Sequence, residues 1–203
     1  MSAIVCGGMA QELKPIQLNA PDKSTGLTIM KSLDNRASVR EFADSKLTIQ
    51  ELSDLLWAAN GINRPDKTGR TAPSSMNAQD IDVYAVMDDG AYWYDFTNNQ
   101  LKPIAKGDYR KWVADAQADM AKAPVFLVLV SDLSRLRGTD ENLKMRTACI
   151  DAGTVCQNIS LFCSGTGLVT VPRASMNQSE LKKILQLKDS QRLIMNHPVG
   201  HKK

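Results

Sequence analysis

Apolar residues recur along this chain with two different periods. Leu52, Leu55, Leu56 and Ala59 fall on one side of a 3.6-residue period. Thr48, with Glu51 three positions on, forms a capping box ahead of them, and Gly61 follows as a C-cap, so a helix is predicted over 49–60. Leu27, Met30 and Leu33 line one face of a shorter helix over 27–33, with Thr28 and Ser32 polar. Trp112, Val113, Ala116 and Met120 do the same over 108–122, and a helix capped by Ser179 runs to Leu187. The longest helical pattern, 141–164, is apolar on most sides and carries Ala148, Ala152 and Gly153, small enough for another helix to approach closely. A helix with so little polar surface belongs in a core or at a subunit interface.

Strand patterns alternate with these helices. Residues 81–87 and 91–96 flank Asp88-Asp89-Gly90, a hairpin turn, and 98–99 turns again into 101–104. Residues 125–130 are continuously apolar after Pro124, as in a strand buried on both faces. Further strands are predicted at 168–171 and 193–199. Residues 11–26, with Pro15, Pro21 and Gly26, read as an extended arm. Residues 63–77 have no period and contain Pro65, Gly69, Pro73 and Ser74-Ser75; a loop of that length in a compact domain is usually functional or disordered. The order of elements predicts an α+β fold with a central sheet wrapped by helices.

Composition narrows the function. A chain of 203 residues with 43% hydrophobic and 23% charged positions is globular and able to bury a core. A net charge of +3 with acidic and basic residues interleaved gives no nucleic-acid footprint. No apolar run reaches the ~18 residues of a membrane span. Gly8-Met9-Ala10 before Gln11 has the small-x-small form of a signal-peptidase site, but a basic region ahead of it is missing. The N-terminus therefore reads equally as the tail of a secretory signal, with export of a protein starting near Gln11, or as a frayed start to a cytoplasmic protein. Cys6 fits no lipidation box. Cys149, Cys156 and Cys163, seven apart on one predicted helix, cannot bridge one another and have no zinc spacing, so they read as small core residues.

Hydrolase, dinucleotide-fingerprint and Walker templates are not matched. Asp88-Asp89 reads as a solvated turn, and Tyr92-Trp93-Tyr94 as a hairpin face before a base-stacking platform. Three clusters remain. Arg36, Ser38 and Arg40 place two guanidinium forks around a hydroxyl, which suits a phosphate, although a solvated basic face has the same composition. Pro73-Ser74-Ser75-Met76-Asn77 is a hydrogen-bonding loop, and the C-terminus is basic. A flavin mononucleotide presents a phosphate, a polar ribityl chain and a ring edge of donors and acceptors, which those three clusters match. No metal site and no catalytic acid or base is read from the chain, because a redox cofactor carries its own chemistry.

Together these segments resemble the nitroreductase-like FMN-dependent oxidoreductases. The resemblance runs from about residue 27 onward. It rests on Arg36-Ala37-Ser38-Val39-Arg40-Glu41-Phe42, Pro73-Ser74-Ser75-Met76-Asn77, Asp151-Ala152-Gly153 with Gln157-Asn158, Gly167-Leu168 and Val199-Gly200-His201-Lys202. The Tyr92-Trp93-Tyr94-Asp95 hairpin looks like the branch that includes azoline-forming peptide oxidases. The resemblance implies a mostly antiparallel sheet, an intertwined homodimer, and a single domain over 27–203 behind an arm or signal remnant at 1–26.

It also implies FMN at the subunit interface. Arg36, Ala37, Ser38 and Arg40 would lie on the phosphate and ribityl chain. Pro73, Ser74 and Ser75 would reach the flavin from the second subunit, with Asn77 on the pyrimidine edge. Pro172, Arg173 and Ala174 would lie beside the ring, and His201 and Lys203 at the phosphate. Asp80 departs from the pattern, since many members carry a basic residue there. The activity implied is ping-pong hydride transfer from NADPH or NADH to a nitro- or quinone-type small-molecule acceptor. An oxidase or dehydrogenase acting on a peptide or small metabolite, or a non-catalytic flavin carrier, is the alternative.

Overall fold

The computed structural model describes residues 12–64, 66 and 68–203. The signal-like stretch, Cys6 and Pro65 lie outside them. Among the described residues seven strands form one sheet: β1 (Ile16–Gln17), β2 (Ile81–Met87), β3 (Gly90–Asp95), β4 (Gln100–Lys106), β5 (Val125–Asp132), β6 (Leu168–Thr170) and β7 (Gln191–His201). Their order is β1-β4-β3-β2-β5-β7-β6, and each neighbouring pair is antiparallel. The helices are α1 (Ile29–Asn35), α2 (Ile49–Asn60), α3 (Arg110–Ala114), α4 (Glu141–Thr166) and α5 (Gln178–Ile184). The fold is α+β, as the pattern predicts.

The apolar run of β5 explains the layering. Every residue from Val125 to Asp132 is buried. Successive side chains point to opposite faces of a strand. Val125, Leu127 and Leu129 accordingly join a core with Leu55 and Leu56 of α2 and Val155 and Ile159 of α4. Phe126, Val128 and Val130 join a second core with Val113 and Ala114 of α3 and Leu181 and Leu185 beside α5. Burying each such Val, Leu, Ile or Phe is worth about 1.5–3 kcal/mol, so the two-sided strand is the centre of stability. The Thr48–Glu51 capping box forms with both of its bonds, which fixes where α2 begins.

Four sequence expectations change. The helix of 108–122 breaks into α3 and a 3₁₀ turn at Ala118–Lys122, with Asp115 at φ 52° between them. The Arg173 guanidinium takes the terminal carbonyls of Val113 (3.0 Å) and Ala114 (2.7 Å), capping the helix from outside, with the Gln117 N–H also on Ala114 O. The last helix begins earlier, at Gln178, because Asn177 and not Ser179 accepts the Glu180 N–H. Cys163 is buried, but Cys156 is only half-buried and Cys149 is exposed. A straight helix drifts off a seven-residue repeat, so the three do not share one environment.

The fourth change concerns α1. It starts at Ile29 with Thr28 as its cap, and its apolar side faces out: Leu27, Ile29, Met30 and Leu33 are all exposed, Met30 by 72%. The buried residue is Ser32. Ser164 donates to the Ser32 carbonyl at 2.8 Å, and the Leu27 N–H donates to Gly165 O at 2.9 Å. A Cβ at Gly165 would sit 2.5 Å from Ser32 Oγ, so glycine is what lets α1 rest against α4 on its polar side.

Candidate functional site

The segment after α1 is extended; Arg36 through Ser38 and Arg40 are exposed, Val39 is half-buried, and the chain reaches the core at Phe42. The Val39 N–H donates to Thr170 O of β6 at 3.0 Å, the Ala43 N–H donates to His201 O at 3.0 Å, and Phe42 bridges to Lys202. Three of the pieces named from sequence therefore meet in one place: 36–40, the turn after β6, and the end of β7. Ala37, Arg36, Ser38 and Arg40 are exposed, and among the described residues neither arginine's side chain has an ion pair or hydrogen bond in the chain. Two unpartnered guanidinium groups flanking a hydroxyl fit a phosphate dianion.

The neighbouring residues divide into free and engaged. Lys203 is exposed, and so is Ala174, while Pro172 is half-buried. Arg173 is buried, and besides the two α3 carbonyls its guanidinium donates to Asn196 Oδ1, Gln117 Oε1 and Ser175 Oγ. Its backbone also pairs with Asn196 in both directions. Arg173 therefore pins α3 to β7 and presents backbone, not charge, at this turn. His201 has both ring nitrogens occupied, Nε2 at Glu51 Oε1 and Nδ1 at Ser45 Oγ, each at 2.9 Å. Glu51 belongs to the capping box, so His201 ties the end of β7 to the start of α2.

The Pro73–Asn77 loop lies elsewhere. The Ser75 N–H donates to Asp151 Oδ2 of α4 at 2.9 Å, and Thr154 Oγ1 donates to Pro73 O at 3.0 Å. Met76, Asn77 and Gln79 have φ of 50°, 55° and 49°. Non-glycine residues are strained there, and surroundings must hold them. The holding bonds run from the Gln79 N–H to Ser74 Oγ, from Asn77 Nδ2 and Gln79 Nε2 to Thr68 O, and from Arg70 Nε to Gln79 Oε1. Arg70 is buried over the Phe96 ring, 3.4 Å from its centroid; burial pulls its guanidinium down to about 10, still charged at neutral pH. Sequence reasoning gave no role to Asp151, Thr154 or Arg70. Asp151 stood in a recognised motif, but its bond partner is 76 residues away.

Beneath the loop Asp80 is fully buried. Its Oδ2 accepts from Ser131 Oγ at 2.5 Å, and its Oδ1 has no protein partner among the described residues. Burial above all, against the lowering effect of the Ser131 bond and with the Asp151 carboxyl alongside, pushes Asp80 up to about 6. A cavity of about 590 Å³ opens beside the loop, between Met76, Asn77, Leu136, Arg137, Leu143 and Lys144.

The two halves are far apart in one chain. The arginine segment follows α1, which rests on Gly165; the loop rests on Asp151. Fourteen residues of one helix separate those anchors, about 21 Å at 1.5 Å per residue. Met76, Leu143 and Ile150 are exposed around the loop and the first half of α4, as are the apolar residues of α1. Gly153 lies between, and a Cβ there would meet nothing within 4 Å.

This scaffold is a nitroreductase fold. A model described as the nitroreductase family matches residues 33–201, and the chain belongs to that family of oxidoreductases. It is similar to a protein of Methanocaldococcus jannaschii that carries the name nitroreductase, at 31% identity over 84% of this chain and 89% of the relative. A protein of Bacillus subtilis named FMN reductase [NAD(P)H] is 26% identical over 78% of this chain and 59% of the relative. The crystal structure of a nitroreductase-named protein from Ralstonia eutropha superposes with a TM-score of 0.86 at 33% identity, covering 93% of this chain and 90% of that one. The Escherichia coli microcin synthetase McbBCD complex contains a chain of the same fold, with a TM-score of 0.71 at 18% identity, covering 100% of this chain and 79% of that one.

Proposed function

We propose that this chain is an FMN-dependent oxidoreductase that takes reducing equivalents from NADPH or NADH and passes them to a nitro- or quinone-type acceptor, and that it works as a homodimer. The observation that carries the reading is the separation of the two half-sites. One chain holds unpartnered arginines at one end of α4 and a strained, pinned loop about 21 Å along it. A second copy packed on the apolar faces of α1 and α4 would bring each loop to the other chain's arginines. Gly153 supports the same packing. A mid-helix glycine costs about 1 kcal/mol relative to alanine, and within one chain nothing requires it.

In this reading Arg36, Ser38 and Arg40 hold the phosphate and ribityl chain, with Ala37 between them and Lys203 adding charge. His201 positions the terminus through Glu51 and Ser45. Pro172 and Ala174 line the ring with backbone held by Arg173. Pro73, Ser74, Ser75 and Asn77 arrive from the partner copy. When bound, FMN supplies the redox chemistry. The residues named above would orient it, and donor and acceptor would use one place in turn, giving ping-pong kinetics. His197 is buried and neutral, and no side chain is assigned as proton donor. The cavity beside Met76 is the route for the acceptor.

A mixed-copy experiment tests this. One variant carries Arg36→Ala and Arg40→Ala, the other Asn77→Ala. If the site spans two copies, co-expression yields dimers with one intact site, so flavin binding and NAD(P)H-driven bleaching return where each variant alone has lost them. Sites confined to single chains would give no recovery.

A further inference from the structure

We propose that Asp80 carries a proton on the oxygen that faces Asp151, and that this proton seats the Pro73–Gln79 loop on α4. So far Asp151 has figured only as the acceptor of the Ser75 N–H and Asp80 only as a buried neighbour of the loop. The loop is stitched to α4 at its first half, through Ser75 N–H to Asp151 Oδ2 and Thr154 Oγ1 to Pro73 O. Its second half ends in Asp80 itself, which is 0% exposed and lies within hydrogen-bonding reach of Asp151, 4% exposed. Asp80 Oδ1 has no other partner among the described residues. Two buried carboxylates in contact repel, while a carboxylic acid facing a carboxylate forms a short, charge-assisted bond. A proton on Asp80 gives the orphan oxygen its partner and joins the two ends of the loop to the same helix.

The surrounding charges do not replace that proton. Ser131 Oγ already donates to Asp80 Oδ2, and the Asp132 N–H donates to Asp80 O. Asp82 pairs with Arg135 through two bonds, and Arg135 also reaches Asp132, whose carboxyl is held below its usual range despite burial. Arg70 is directed at Gln79 and Phe96. Both arginines stay charged from pH 5 to pH 8, so Asp80 is the group here that changes charge near pH 6.

The direction follows from linkage. Asp80 titrates near 6 with the loop seated and near 3.8 when its surroundings open. Seating is therefore strongest below pH 3.8 and weakens as the pH rises through 6. Those two values make the loop-opening equilibrium rise about tenfold between pH 5 and pH 7, with little further change above. The strained φ angles of Met76, Asn77 and Gln79 favour release once the repulsion appears. For a cofactor held by this loop, affinity falls over the same window; that consequence, unlike the loop motion, rests on the FMN reading above.

The test uses the full-length chain, with and without added FMN. Hydrogen exchange of peptides covering 73–79 is measured from pH 5 to pH 8 and corrected for intrinsic exchange. Wild type loses about tenfold in protection between pH 5 and pH 7. Asp80→Asn, whose amide supplies a permanent donor, keeps its protection flat. Ser131→Ala removes a bond that favours the ionised form, so its midpoint moves above 6. FMN titrations of the same proteins follow the same profiles. Protection that switches in a chain binding no FMN sustains the latch and removes the flavin reading alone. Protection flat in wild type, or an Asp80→Asn profile that tracks wild type, overturns the proposal.

Discussion

The two ends of α4 are held in opposite ways. At the Gly165 end, a polar helix face packs closely and two arginines project with no partner in the chain. At the Asp151 level, nearly every polar group is interlocked: Ser74, Ser75, Asn77, Gln79, Arg70 and Asp151 bond one another or the backbone. One end keeps its charge available; the other keeps its backbone in a strained shape. A ligand meeting the first gains new bonds, while at the second it meets a surface already organised.

The largest expected effect lies in the frame beneath the arginine end. His197 is 0% exposed, its Nδ1 lies 3.2 Å from Thr170 Oγ1, and burial lowers it to about 3. The unfolded chain takes up that proton below about pH 6.5 and the native chain does not. Stability is thus lost as pH falls from 6.5 towards 3, by roughly 5 kcal/mol in total at about 1.36 kcal/mol per unit. Urea unfolding of wild type against His197→Gln, from pH 7 to pH 4, isolates it: the difference between the two should narrow or reverse as pH drops.

Next comes Arg173, buried with five hydrogen bonds from its guanidinium. Arg173→Ala removes the side-chain donor of the Val113 carbonyl, leaves Ala114 O with the Gln117 N–H alone, and strips Asn196 Oδ1 and Gln117 Oε1 of a charged donor; it should cost about 3 kcal/mol in urea unfolding. Arg36→Ala or Arg40→Ala should do the reverse. Each weakens FMN binding by about 1.5–3 kcal/mol in a fluorescence titration and leaves unfolding within about 0.5 kcal/mol, because neither side chain holds the chain together. A similar loss of stability in all three would erase the distinction between free and engaged arginines.

The two glycines of α4 sharpen the comparison. Gly165→Ala forces a contact at 2.5 Å on Ser32 and should destabilise by about 1–3 kcal/mol. Gly153→Ala meets open space in one chain and should gain up to about 1 kcal/mol in a monomer. If a second copy crosses there, the same change weakens association, which sedimentation at several concentrations would register. A variant both more stable and equally associated would remove Gly153 from the proposed interface.

Residue types alone carried a good part of this protein. The two-sided run of β5, the capping box of α2 and the Asp88-Asp89-Gly90 turn are local in cause, so period, cap and turn chemistry sufficed to place them. The motif segments were legible for the same reason: two guanidinium forks around a hydroxyl, or five loop residues rich in donors, advertise their chemistry wherever they fold. Tertiary structure decided what those groups meet. Arg173 resembled a site residue until Val113, Ala114 and Asn196 surrounded it, and α3 ended early because that side chain caps it from 59 residues away. The apolar face of α1 pointed outward because Gly165 admits Ser32. The anchors of the two halves of the candidate site lie about 21 Å apart along α4 because α1 and the loop land on different turns of one helix. Periodicity records which side of an element is apolar, but contact between distant segments depends on backbone spacing and on which donors find acceptors, and neither is written in local order.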